Sequence, residues 1–193
     1  MYKKKITYFF LLISLSFIFI NNSFAIEPYL FVQETADRAS EALNKRLSKE
    51  EKMEKLTIIA KETVDIKGIG YYSLGAYRKT LSDQQKEKYF DIFEKYFLKS
   101  FSSRLAEYTD PKIRVNSQKK LNEKYTMVSS VLLATEEKPE VSIEWRIVTK
   151  NPDKPLIIDV VIEGVSLAKV QKEEFNSIIQ SNNGDINALL TSL

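Results

Sequence analysis

Two carboxylates near the end of the chain have the spacing that comes nearest to a catalytic pair. Asp159 and Glu163 are four residues apart on the same face of a predicted strand, which places them about 13 Å apart at the rise of an extended chain. Carboxylate pairs that cleave glycosides lie about 5 to 9.5 Å apart. We therefore interpret both groups as solvated or structurally hydrogen-bonded, and we expect no catalytic residue from this pattern.

The residue types that usually carry nucleophilic and metal chemistry are missing. The 193-residue chain has no His and no Cys, which excludes triads and dyads built on either, disulfides, and the usual zinc and haem sites. Gly68 and Gly70 do not make a phosphate loop, because no predicted strand precedes them and no third glycine follows in register. Glu144 and Arg146 are predicted to form an exposed ion pair. We expect no metal and no cofactor.

The first 25 residues have the order of regions found in a secretory signal peptide. Lys3–Lys5 precede an apolar run over 6–20, and Ser23-Phe24-Ala25 forms a small-x-small cleavage site. The run of about 15 residues is shorter than the roughly 20 that a membrane-spanning helix needs. The sequence therefore predicts residues 1–25 as a cleaved signal peptide, a periplasmic location, and residues 26–193 as one domain.

The charge of the chain excludes nucleic acid as an expected partner. The 29 Lys and Arg residues exceed the 26 Asp and Glu residues by three, and Lys3–Lys5 account for this excess. The mature chain is thus formally neutral, with both signs interspersed. It lacks the basic stripe that a nucleic-acid backbone requires.

Hydrophobic periodicity predicts an α+β fold, because helical patterns fill the first half and strand patterns the second. Helices are expected over 28–47, from Ser48, over 72–77 and over 82–108, and after the strands over 166–181 and 186–193. Strands are expected over 113–117, 125–134, 141–149 and 156–163. Short polar turns join these strands. The N-terminal helices are therefore expected to pack on a twisted antiparallel sheet of four or more strands, followed by C-terminal helices.

The long helix and the sheet each present a large apolar face. Phe90, Phe93, Phe97 and Phe101 recur at helical spacing, while Ile143, Trp145, Ile158 and Val160 can share one side of the sheet. Any single phenylalanine is most simply a core residue. The density of rings also suits a cavity lining, because bulky side chains hold a helix away from a sheet. Periodicity alone does not decide between a closed core and an apolar pocket.

The segment after the last strand admits two interpretations. Gly164 lies at a strand-to-helix break, and Ser166 is placed to cap the next helix. The first interpretation is a structural junction. The second is a docking edge, in which Glu163 is presented to a basic surface of a partner.

Four ordered segments resemble the MlaC family of periplasmic phospholipid-shuttling proteins, also called toluene-tolerance or auxiliary transport proteins. The segments are Ser73-Leu74-Gly75-Ala76-Tyr77, the helix stretch Asp83–Phe93 with Phe101 and Leu105–Tyr108, the strand Val141–Arg146, and Asp159–Leu167. The last contains Glu-Gly-Val-Ser-Leu, which is the most specific element. Order and spacing hold over most of residues 31–190.

The resemblance implies that helices and sheet enclose a hydrophobic cavity that takes the acyl chains of a phospholipid. It implies exchange of lipid, without catalysis, between an outer-membrane lipoprotein complex and an inner-membrane ABC transporter. We expect a monomer in which these residues line the cavity: Tyr77, Phe90, Phe93, Phe97, Phe101, Ile143, Trp145, Ile158 and Val160.

The sequence departs from the family pattern at Arg78, at Phe101 and at Val170-Gln171-Lys172. These departures leave room for a hopanoid-associated relative that binds another lipid. The alternative from the enzyme class is a small α+β enzyme with a cone-shaped pocket, which would need an acid–base pair inside that pocket.

Overall fold

The computed structural model describes residues 26–136 and 138–193, so the predicted signal peptide lies outside the described residues. Its elements, in chain order, are α1 Pro28–Ala42, α2 Lys49–Thr63, α3 Ile66–Ser73, a 3-10 helix Gly75–Lys79, α4 Asp83–Leu105, β1 Ile113–Asn122, β2 Tyr125–Leu132, β3 Val141–Val148, β4 Leu156–Ile162, β5 Val165–Ser166, α5 Leu167–Ser181 and α6 Ile186–Ser192. Within these two ranges, no helix combines the length and the hydropathy needed to cross a bilayer.

Two helices begin where the sequence predicts them, because each has a capping box. The Ser48 side chain accepts the Glu51 amide and the Glu51 carboxylate accepts the Ser48 amide at the start of α2. Ser82 and Gln85 make the same reciprocal pair at the start of α4. Each box satisfies amides that the first helical turn leaves without partners.

The first helix ends at Ala42, five residues before the predicted end at Leu47. Asp110, which follows α4, donates its amide to the Leu43 carbonyl at 3.1 Å and accepts the Lys45 amide at 3.2 Å. This distant residue binds the backbone that a longer helix would have used. The helical spacing of the apolar residues does not reveal this contact with Asp110.

The strands form one antiparallel meander in the order β1-β2-β3-β4-β5, which confirms the α+β prediction. The fifth strand is the short segment Val165–Ser166, which pairs with the end of β4. β1 runs to Asn122 rather than the predicted Ser117. As an edge strand it is exposed from Asn116 onward, so it has no apolar alternation from which to predict it.

A β-bulge in β4 divides that strand into two registers. Trp145 pairs with Val160 and Arg146 with Asp159, but Ile147 pairs with Ile157, so Ile158 is the extra residue. The extra residue of such a bulge shifts the alternation of side chains by one position, so that residues before and after it exchange the faces that strict alternation would give them. Val160 and Ile157 therefore face the same side, and both pack in the same buried cluster.

The buried apolar residues form three clusters. The helix cluster joins α3, α4, α5 and α6 and consists of Ile69, Leu74, Leu81, Tyr89, Phe93, Phe175, Ile179, Ile186, Leu189 and Leu190. The sheet cluster joins α1 to the sheet and consists of Val32, Val115, Val128, Ile147 and Ile157. The α1–α2 cluster consists of Ala42, Leu43, Leu56, Ile59 and Ala106.

Candidate functional site

Three phenylalanine rings follow one another along α4, as their spacing predicts. The Phe93 and Phe97 rings lie 5.9 Å apart between centroids. The Phe97 and Phe101 rings lie 5.7 Å apart with their planes only 8° from parallel. These three rings make a continuous ladder of apolar surface.

The first ring of this ladder, Phe93, is enclosed in the helix cluster. The Phe93 residue is 1% exposed, and its ring meets Phe175 edge-on at 6.0 Å. Gly70 fits against it only because it lacks a side chain, since a Cβ there would lie 2.7 Å from the ring. The neighbouring Tyr89 hydroxyl donates to the Gly70 carbonyl at 3.0 Å, and burial raises the pKa of Tyr89 well above its usual range.

The other aromatic candidates lie at the margins of the clusters. Tyr77, Phe90 and Phe97 are partly buried against the helix cluster, whereas Phe101 is partly buried against the α1–α2 cluster. The ladder thus passes from one cluster to another. Phe97 and Phe101 are the half-buried rings of the ladder.

The side of the sheet that faces α1 forms the second apolar surface, which we call the sheet wall: Val128, Ile143, Trp145, Ile147 and Val160. Trp145 and Val160 are directly opposite each other and are partly buried against the sheet cluster. The Trp145 indole donates to the Ser130 hydroxyl at 2.8 Å, which itself donates to the Ile143 carbonyl at 3.3 Å. Every buried side-chain N and O among the described residues has a partner, so the wall needs no polar ligand.

The inclusion of Ile158 in the same surface is wrong. Ile158 is the unpaired residue of the bulge, and it lies with Arg146 and Met127 on the side of the sheet away from Trp145. There it lines a separate recess of about 390 Å³ with Leu121, Asn122, Tyr125, Met127 and Arg146. Strict alternation along β4, without the bulge, places Ile158 on the wrong face of the sheet.

The carboxylate Asp159 has a structural role. It is 6% exposed and accepts the Ser166 hydroxyl at 2.6 Å, the Ala168 amide at 3.0 Å and the Arg146 guanidinium at 3.2 Å. The predicted pair of Arg146 with Glu144 is therefore wrong, because Arg146 reaches across to β4. Among the residues described, Asp159 is the one buried carboxylate, and it points away from the sheet wall.

The turn between β4 and α5 has the geometry of a junction. Glu163 and Gly164 both have positive φ, at 49° and 81°, and the Ser166 hydroxyl accepts the Lys169 amide at 3.1 Å as an N-cap. Glu163 is exposed, and its carboxylate accepts the Ser142 amide at the start of β3. The proposed docking role of Glu163 stays a prediction.

Sequence reasoning missed part of the sheet cluster. Val32, Val128 and Ile157 are buried in the sheet cluster but were not among the candidate residues. Alternation could have identified Val128, since it lies opposite Trp145. No sequence signal marks the bulge that brings Ile157 to this side.

Comparison with known proteins identifies the family. A family model described as MlaC protein matches residues 33–193. The chain belongs to the MlaC family. One curated relative, the intermembrane phospholipid transport system binding protein MlaC of Haemophilus influenzae, is 25% identical over 174 residues, which cover 86% of this chain and 80% of the relative.

A solved structure has the same fold as this chain. The phospholipid-binding protein from Ralstonia solanacearum, crystallised in complex with a phospholipid, superposes with a TM-score of 0.70 at 16% identity. The match covers 86% of this chain and 94% of that protein. At this identity the likeness establishes the fold, which agrees with the helix and sheet order described above.

Proposed function

We propose that this MlaC-family chain is a phospholipid carrier of the periplasm. Its acyl-chain site lies between α4 and the sheet wall, lined by the half-buried rings of the ladder on one side and by Trp145 and Val160 on the other. The protein takes lipid from one membrane complex and delivers it to another. Its function is binding and transport, not catalysis.

The physical requirement for such a carrier is a dry apolar surface. A lipid chain that leaves a bilayer loses about 0.8 kcal/mol for each CH2 group that enters water. A protein that receives the chain must offer equivalent burial. Phenylalanine rings, aliphatic side chains and an indole whose N–H is already bonded meet this requirement without any reacting group.

The observation that carries the proposal is the position of the candidate residues relative to the clusters. Phe97 and Phe101 are half-buried on α4, and Trp145 and Val160 are half-buried on the sheet wall. Large apolar side chains at the edges of separate clusters provide surface that an apolar ligand can cover. Fully buried residues such as Phe93 provide none.

The enzyme alternative has less support. Asp159 is bonded to Ser166, Ala168 and Arg146 and faces away from the sheet wall, so it is not available as an acid or base there. Among the described residues, no group of three or more acidic side chains converges to hold a metal ion.

Native mass spectrometry of protein purified from cells tests the function. The expected result is a complex whose extra mass is that of a phospholipid, identified by fragmentation. Extra mass matching a hopanoid would favour the alternative, a hopanoid-associated relative that binds another lipid. Protein that emerges from mild purification without any lipid would contradict the carrier.

Substitutions locate the site. Phe97→Asp and Trp145→Asp are expected to reduce co-purified lipid strongly, because a charge on either wall opposes an apolar ligand. Lys88→Glu, on the exposed side of α4, is the control and should carry lipid as the wild type does. Thermal unfolding of each variant separates lost cargo from lost fold, and two folded variants with full lipid would contradict the assignment.

The partners of the carrier are proposed to be an outer-membrane lipoprotein complex and an inner-membrane ABC transporter. Glu163 is exposed at the end of β4 and is the candidate contact with a basic surface. Glu163→Lys should leave bound lipid intact and abolish transfer to reconstituted inner-membrane complex. Unchanged transfer would show that Glu163 is not part of the docking surface.

A further inference from the structure

One surface of the helical half combines exposed aromatic rings with cations that lie on them. We call it the aromatic–cation surface, and it consists of Lys67, Tyr71, Tyr72, Phe90, Arg78 and Lys172. Its centre is α3, whose Tyr71 and Tyr72 are 45% and 41% exposed. Tyr71 and Tyr72 belong to none of the three clusters and are not among the residues expected to line the acyl-chain site.

The rings and cations form two stacks on either side of α3. In the first, Lys67 lies 5.4 Å above the Phe90 ring, Phe90 stacks on Tyr71 at 6.5 Å, and Arg78 lies 5.2 Å above Tyr71. In the second, Lys172 of α5 lies 5.2 Å above the Tyr72 ring. Arg78 and Lys172 are also two of the positions at which the sequence departs from the family pattern.

The three cations of this surface are not neutralised within the described part of the chain. Lys67, Arg78 and Lys172 take part in none of the salt bridges formed there. Among the carboxylates close in sequence to these cations, Glu173 forms an ion pair with Lys169, while Asp65 and Glu174 accept the uncharged Gly68 amide and Gln171 side chain. The surface therefore presents three cations that form no ion pair with the described carboxylates.

We propose that the aromatic–cation surface docks the protein on a bilayer that contains anionic phospholipid. Stacking on a ring leaves the in-plane N–H groups of Arg78 free to bind a phosphate, and the ammonium groups of Lys67 and Lys172 attract the same head groups. Tyr71 and Tyr72 suit the interface between head groups and acyl chains, because each ring is apolar with one polar end. An acidic protein would satisfy the cations but would give these two rings no such environment.

The proposal goes beyond the carrier function, since docking on a bilayer does not depend on what the acyl-chain site holds. Flotation of the purified protein with vesicles tests it. Wild type is expected to bind vesicles of phosphatidylethanolamine and phosphatidylglycerol, to ignore vesicles of phosphatidylcholine alone, and to be released by salt. No preference for the anionic vesicles would overturn the proposal.

A matched pair of triple variants assigns the binding to this surface. Lys67→Gln with Arg78→Gln and Lys172→Gln should weaken vesicle binding about tenfold or more, since each basic residue near an anionic surface contributes measurably. Lys119→Gln with Lys150→Gln and Lys154→Gln removes the same charge from exposed positions on β1 and the β3–β4 turn, and should bind as the wild type does. Equal weakening in both triple variants would overturn the proposal.

Two further measurements separate this proposal from its alternatives. Tyr71→Ser with Tyr72→Ser keeps the charge and should still reduce vesicle binding, because the rings reach the interface. If the wild type did not bind the vesicles but did bind poly-glutamate, the partner of the surface would be an acidic protein. This result would overturn the proposal of docking on a bilayer. The lipid that co-purifies with the first triple variant should be unchanged, so this proposal and the carrier function fail independently.

Discussion

The helix cluster and the sheet wall are built from similar apolar residues, but the wall also includes half-buried members beside its buried ones. In the helix cluster, Tyr89 and Phe93 are 0% and 1% exposed and are packed on all sides. On the sheet wall, Trp145 and Val160 remain partly exposed beside a fully buried sheet cluster. A side chain packed on all sides stabilises the fold, whereas one that is half covered retains surface for a ligand.

The difference continues along a single helix. Phe93, Phe97 and Phe101 share one face of α4, but only the first is enclosed by α3 and α5. The depth of each ring is decided by which neighbouring helix reaches it, and not by its spacing. The following predictions test this division, beginning with the largest expected effect.

Replacing Phe93 by alanine is expected to lower the free energy of unfolding by about 3–5 kcal/mol, because the ring leaves a cavity among Gly70, Tyr89 and Phe175. Urea denaturation measures it. Phe90→Ala is the matched control and should cost much less, since Phe90 is only partly buried. Equal costs at the two positions would contradict the difference in depth.

Gly164→Val is expected to lower the free energy of unfolding by about 1–3 kcal/mol. The residue has a φ of 81°, and no atom lies within 4 Å of an added Cβ, so the cost comes from the backbone conformation alone. Gly164→Asn, which tolerates this region better, should cost less. Lipid should be lost only where the protein unfolds, and a valine variant with an unchanged melting temperature would contradict the junction.

Trp145→Phe is expected to cost about 1 kcal/mol through the lost bond to Ser130. The indole N–H is removed, so the buried Ser130 hydroxyl loses its donor. Adding Ser130→Ala should recover part of this cost, because both partners are then gone. Simple additivity in the double-mutant cycle would show that the two side chains do not interact.

Local signals predicted the starts of α2 and α4, but not that of α3, which begins at Ile66 rather than at the predicted Tyr72. Contacts distant in sequence decided other features. Ser48 and Ser82 begin helices through bonds to residues within one turn, so the sequence displays them. The end of α1 depends on Asp110, and the facing of Ile158 depends on a bulge opposite Arg146. The two apolar faces were predictable from the sequence, but the depth of Phe93 and the side of Ile158 were not.

The smallest expected effect tests the bulge with one residue type on opposite faces. Ile158→Gln should change the free energy of unfolding by no more than about 0.5 kcal/mol, because the side chain borders an open recess, and bound lipid should be unchanged. Ile143→Gln should reduce bound lipid, because it places a polar group in the sheet wall beside Trp145. Since Ile143 is 8% exposed, urea denaturation must show that this variant is folded. If Ile158→Gln released lipid and Ile143→Gln did not, the acyl-chain site would lie on the other side of the sheet, with Leu121, Tyr125 and Met127.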